Sequence, residues 1–135
     1  MTQGMQQTAL FVYGTLCSGE DNAGFLAGLP IQEARVRGHL YRLPAGYPAL
    51  VADSAGTWVR GELVTLDGEV RLGVLDHLEG VSQDLFQRVS LPVAVDGRTV
   101  VAWAYVMDRA QVRDRTGVRV EHGDWRRLSV GRKRS

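Results

Sequence analysis

A chain of 135 residues, 44% hydrophobic and 23% charged, has the length and composition of one globular domain with a real core. Its net charge of +1 makes a nucleic-acid partner unlikely on bulk electrostatics, and its longest apolar run, residues 100–107, is far short of the roughly 20 residues a membrane-spanning helix needs. One cysteine, Cys17, allows no internal disulfide, and His39, His77 and His122 lack metal-ligand spacing, so neither a metal nor another cofactor is expected.

Residues 1–8 are polar, with neither a basic start nor an apolar signal segment; they read as a flexible N-terminus, and the cytoplasm is the expected compartment. Ala9-Leu10-Phe11-Val12-Tyr13 is a short aromatic and β-branched run closed by Gly14, the pattern of a buried strand feeding a tight loop. Ser18 with Asp21 resembles a capping box, and Phe25, Leu26 and Leu29 share a helical face that Gly28 and Pro30 terminate.

Imperfect alternation over residues 34–43 and 57–66 predicts two half-buried strands, interrupted at Gly38 and Gly61 by bulges or close approaches. Between them, Pro44, Gly46 and Pro48 argue for an irregular loop carrying Tyr47. Asp67-Gly68 marks a turn before a helix starting near Glu69. Residues 88–95 and 99–107 form strands around Asp96-Gly97, a strong hairpin signal.

Strands outnumber helices and show no regular βαβ alternation, which predicts an α+β fold built on a mostly antiparallel, barrel-like sheet. One domain over residues 9–125 is expected, followed by a basic tail over 126–135, where Arg126, Arg127, Arg132, Lys133 and Arg134 crowd together. Such a run is expected to be a solvated terminus.

The segment Leu72-Gly73-Val74-Leu75-Asp76-His77-Leu78-Glu79-Gly80 carries the most chemistry. On a helix, Leu72, Leu75 and Leu78 make an apolar stripe, and Glu79 projects between Leu72 and Leu75, whereas Asp76 and His77 point elsewhere. A carboxylate set against leucines needs donors or a changed protonation state, which makes it a candidate acid or base. Periodicity alone equally allows Glu79 to bend out to water before a capping Gly80. Tyr13-Gly14-Thr15-Leu16 joins a strand to a helix start, where unpaired N–H groups can collect an anion, although a glycine after a strand often marks only a turn.

Phe11-Val12-Tyr13-Gly14-Thr15-Leu16, Tyr47-Pro48-Ala49-Leu50 and Gly61-Glu62-Leu63 come in the order of the gamma-glutamylcyclotransferase-like family, which this chain resembles over about residues 9 to 125. Leu75-Asp76-His77-Leu78-Glu79-Gly80 is similar to the segment carrying the family's catalytic glutamate. Phe86-Gln87-Arg88 resembles its aromatic-x-arginine, and Trp103-Ala104-Tyr105-Val106 and Gly123-Asp124-Trp125 resemble its closing strand and C-terminal turn. Seven ordered matches are together far more specific than any one of them. Thr15 replaces a common serine, and Phe86 stands where tyrosine is frequent.

The resemblance implies a small β-barrel with helices packed around it, and a reaction that cyclises a gamma-glutamyl group to 5-oxoproline with release of an amine or amino acid. It further implies Glu79 as general acid/base and Tyr13, Gly14, Thr15 and Leu16 as the substrate-binding loop, with Tyr105 as a wall or hydroxyl donor of the site. For Tyr13 and Tyr105, ordinary core packing stays open beside those roles. Cys17 is read as structural, because ring closure by the substrate's own amine needs no protein nucleophile. A module that binds a gamma-glutamyl metabolite without turning it over is the alternative, since fold does not fix activity.

Overall fold

The computed structural model describes residues 8–14, 28–66, 68–78 and 86–127. In chain order these form β1 (Thr8–Val12), β2 (Ile31–Arg42), β3 (Pro48–Ala52), β4 (Thr57–Leu66), α1 (Glu69–Leu78), β5 (Gln87–Val95), β6 (Arg98–Val106), α2 (Arg109–Asp114) and β7 (Val118–Arg119). A further helical turn begins at residues 125–127. The helix expected after Ser18 lies outside the described residues.

The sheet runs β3-β2-β4-β1-β6-β5, and pairing of β5 back onto β2 at Arg35 and Ala94 closes β2, β4, β1, β6 and β5 into a five-stranded barrel. Every pairing is antiparallel except β1 with β6, so the expected α+β, mostly antiparallel barrel is what forms. β3 and β7 extend the sheet along β2.

Alternation along the strands sorts side chains to two sides. Phe11, Val36, Val59, Leu63, Val93 and Ala104 belong to one buried cluster, with Trp125 fully enclosed in it. Leu10, Val12, Val64 and Leu66 belong to a second, joined by Leu75 of α1 and Val112 of α2. Both faces of β1 are therefore buried, which explains why it reads as a continuous apolar run rather than an alternating one. Gly61 is a close approach, as anticipated: a Cβ there would overlap the Val12 carbonyl.

The β5–β6 hairpin turns at Asp96 and Gly97, both with positive φ (51° and 74°), the geometry that Asp-Gly favours. The stretch anticipated as an irregular loop, residues 43–50, runs into β3 at Pro48. Pro44 and Gly46 do form the turn, with Gly46 N–H donating to Leu43 O at 2.8 Å, but Pro48 opens a strand. Proline is tolerated there because it is the first residue of a strand at the edge of the sheet.

The packed domain reaches beyond 125. Arg126, expected at the head of a solvated tail, has a side chain only 22% exposed and donates to Glu33 and to the buried Glu62. The 62-carboxylate sits on the outer face of β4, where an uncompensated charge would be costly, and Arg126 supplies the counter-charge.

Candidate active site

Of the residues expected in the site, Tyr13, Gly14 and Tyr105 are described, whereas Thr15, Leu16 and Glu79 lie outside the described residues, as does Cys17. Tyr13, one residue past β1, is buried, and its hydroxyl is not at the surface: it donates to Tyr105 O at 2.6 Å and accepts from Leu50 N–H at 3.3 Å. Met107 N–H in turn donates to Leu50 O at 2.9 Å. One phenol thus ties the end of β1 to β3 and β6.

Gly14 follows immediately, and its backbone lies outside the left-handed region, so the demand for glycine there is steric. A Cβ would run into the Pro48 ring. The match of Tyr13-Gly14 with Tyr47-Pro48 in the sequence is therefore one packing unit in three dimensions.

Tyr105 reaches the other way with its side chain. Its hydroxyl donates to Asp76 Oδ1 at 2.7 Å, and Arg88 Nε donates to the same oxygen at 2.7 Å. Both partners of that ion pair are only about a quarter exposed, and the Arg88 guanidinium lies 4.4 Å over the Trp103 ring. Charge-assisted bonds of this kind are about twice as strong as neutral ones, and the stacked ring restricts where the arginine can go.

The position of Asp76 departs from expectation. Helical periodicity set it away from the leucine stripe, yet it turns onto the barrel and fastens α1 to β5 and β6. It follows the buried Leu75, and its short side chain meets donors from the strands. The signal available in the sequence was the pair Arg88 and Tyr105, both donors on neighbouring barrel strands, Arg88 directly opposite Tyr105 in the β5–β6 register.

Phe86 is buried, with its ring 6.2 Å from that of Tyr47, so the position lacking a hydroxyl packs against an aromatic that has one. His77 is exposed, and His122 Nδ1 accepts from Asp124 N–H at 3.2 Å within its turn. His39 is largely buried, and its Nε2 donates to Asp53 Oδ2 at 2.9 Å. That bond, followed by the Ala55 N–H, holds the Asp53 carboxyl below its ordinary value. Since the folded value is the lower one, the stabilisation is present at neutral pH and is lost in acid, as the carboxylate takes a proton below about pH 4.

Asp76→Asn keeps the shape and removes the charge that holds Arg88. The expected loss is about 1–3 kcal/mol of stability, read as a lowered denaturant midpoint with an unchanged slope. An unaltered midpoint would mean that the α1 attachment lies elsewhere.

The Tyr13-Gly14 turn, Tyr105 and α1, through Asp76, are thus linked at one end of β1. The family model for gamma-glutamyl cyclotransferase, AIG2-like, matches residues 10–127, and the chain belongs to that family. It is 34% identical over 110 residues to the gamma-L-glutamyl-butirosin B gamma-glutamyl cyclotransferase of Niallia circulans, covering 74% of this chain and 67% of the relative. Among solved structures it is similar to YkqA from Bacillus subtilis, with a TM-score of 0.73 and 26% identity. That match covers 96% of this chain, which spans 44% of the length of YkqA. An AIG2-like protein from Mus musculus matches with a TM-score of 0.57 and 26% identity over 76% of this chain and 78% of the mouse protein. Among the described residues no helix is long and apolar enough to cross a membrane.

Proposed function

We propose that the chain is a gamma-glutamyl cyclotransferase that closes a gamma-glutamyl group to 5-oxoproline and releases an amine or amino acid, with Glu79 as the general acid/base. The observation that carries this reading is the double attachment of Tyr105. Its carbonyl holds the Tyr13 hydroxyl at the head of the loop, and its hydroxyl holds Asp76, three residues before Glu79. The loop and the helix end are thereby referred to one residue of β6, as a reaction needing both parts in register requires.

In the reaction the substrate's α-amino group attacks its own γ-carbonyl carbon. The ammonium is inert until deprotonated, so Glu79 takes its proton and later returns one to the leaving amine. The bond formed is N–Cδ, closing the five-membered ring at the γ-carbonyl carbon, and the bond broken is Cδ–N to the leaving amine. The tetrahedral oxyanion and the α-carboxylate need donors that water does not occupy, and backbone N–H groups of Gly14, Thr15 and Leu16 are assigned to them. Tyr13 shapes the loop rather than reaching substrate, because its hydroxyl already bridges Tyr105 and Leu50. Tyr105 serves as a wall, its proton directed to Asp76.

The relative from Niallia circulans is named for a gamma-glutamyl derivative of butirosin B, and that supports a leaving group of the amine class alongside amino acids. The test is release of 5-oxoproline from a panel of gamma-glutamyl amino acids and gamma-glutamyl amines. Turnover of at least one substrate is expected, and its rate should be unaffected by chelators. Tight binding of such compounds with no 5-oxoproline formed would leave a binding module in place of an enzyme.

A further inference from the structure

The outer face of β2 and β4 carries two like-charged rungs in succession. Glu33 stands opposite Glu62, and two residues on, Arg35 stands opposite Arg60. Like charges directly across a ladder are destabilising. The chain resolves the first rung: Arg126 reaches in and bonds both carboxylates, at 3.1 Å to Glu33 and 3.3 Å to Glu62. The second rung has no such answer. Among the described residues no carboxylate lies within 4 Å of Arg35, Arg60 or Arg98, although Arg88, Arg109 and Arg126 all have one.

These three arginines line one hollow of about 570 Å³, between the β2–β4 face and the tip of the β5–β6 hairpin. The acids on its wall are Glu33, already held by Arg126, and Asp96. Trp58 separates it from a second hollow of about 420 Å³, whose wall includes Leu91, Pro92 and Ala52. Arg35 and Arg37 lie over the Trp58 ring at 4.5 and 3.9 Å, which orders their guanidinium planes. Asp53 lines only the second hollow, where His39 and Arg109 neutralise it.

We propose that this face is a nucleotide site, with the phosphates of a nucleoside diphosphate supplying the anion missing between Arg35, Arg60 and Arg98. The base lies in the second hollow, beside the Trp58-stacked Arg37 guanidinium and against Leu91 and Pro92. Both hollows have the size of small-molecule sites, and arginine forks match phosphate oxygens while guanidinium and indole planes stack on bases. The site shares no residue with Tyr13, Gly14, Asp76, Arg88 or Tyr105, so it stands whether or not the cyclotransferase reading does.

Calorimetric titration of the whole chain with ADP, inorganic diphosphate, adenosine and a short single-stranded oligonucleotide tests it. ADP is expected to bind with a Kd below about 1 mM, tighter than diphosphate and adenosine, and more weakly as salt rises. Arg60→Gln with Arg98→Gln should weaken ADP by about tenfold or more while melting and 5-oxoproline release stay at parental values. Arg98→Gln alone, on the exposed hairpin, provides the same reading should the double variant fold poorly. Absence of ADP binding, or binding indifferent to these substitutions, overturns the site. Diphosphate binding as tightly as ADP overturns the place given to the base, and an oligonucleotide binding more than about tenfold tighter than ADP reassigns the face to nucleic acid.

Discussion

Glu79→Gln should abolish nearly all turnover while leaving a folded protein that still binds its substrate. The amide keeps the size of the carboxylate and part of its hydrogen bonding but cannot accept the ammonium proton. General acid/base groups contribute about 10²–10⁴-fold, and the loss in kcat is expected to be at least in that range. Melting should stay near the parent, because the amide keeps the size of the side chain and the bonds of Asp76 to Tyr105 and Arg88 that fasten α1 are untouched. The parental rate should also fall on the acid side as Glu79 takes its proton, and that limb should be missing from the variant's residual rate. A folded Glu79→Gln protein releasing 5-oxoproline at near parental rates would falsify the mechanism.

Much of the barrel was legible in the sequence because its strands carry local signals. Asp96-Gly97 fixes one hairpin, and the alternation over residues 57–66, though imperfect, matches β4, which forms over the same span. β3 was hidden by Pro48, since a proline reads as a loop unless it is known to start an edge strand, and edge position is a property of the whole sheet. Arg126 was hidden for a related reason. Its neighbours in sequence are basic, and only the ladder shows Glu33 and Glu62 facing each other and needing a cation.

For the site, residue types and order carried the family likeness, whereas the connections among them did not show. Tyr13 and Tyr105 are 92 positions apart, and nothing local indicates that the hydroxyl of one meets the carbonyl of the other. Helical periodicity also placed Asp76 wrongly, because a wheel records the direction of a side chain and not the donors that barrel strands bring to it. Arg88 beside Trp103 and Tyr105 on the same hairpin is what turns Asp76 inward.

Gly14→Ala is the second substitution expected to act strongly, and the reason is a steric one. The backbone of Gly14 lies outside the left-handed region, and the added Cβ collides with the buried Pro48 ring. The turn cannot simply retreat, because Tyr13 is held on one side by Tyr105 O and on the other by Leu50 N–H. Overpacking of this kind costs about 1–3 kcal/mol, and if the loop N–H groups receive developing charge as proposed, a displacement near 1 Å costs about 10²-fold in kcat/KM. Pro48→Ala removes the ring carbons that the new Cβ meets, so the double variant Gly14→Ala with Pro48→Ala should recover part of that loss. The two effects should then be strongly non-additive in a double-mutant cycle. Simple additivity would show that Gly14 matters for some reason other than its contact with Pro48, and a fully active, folded Gly14→Ala protein would remove the loop from the substrate site altogether.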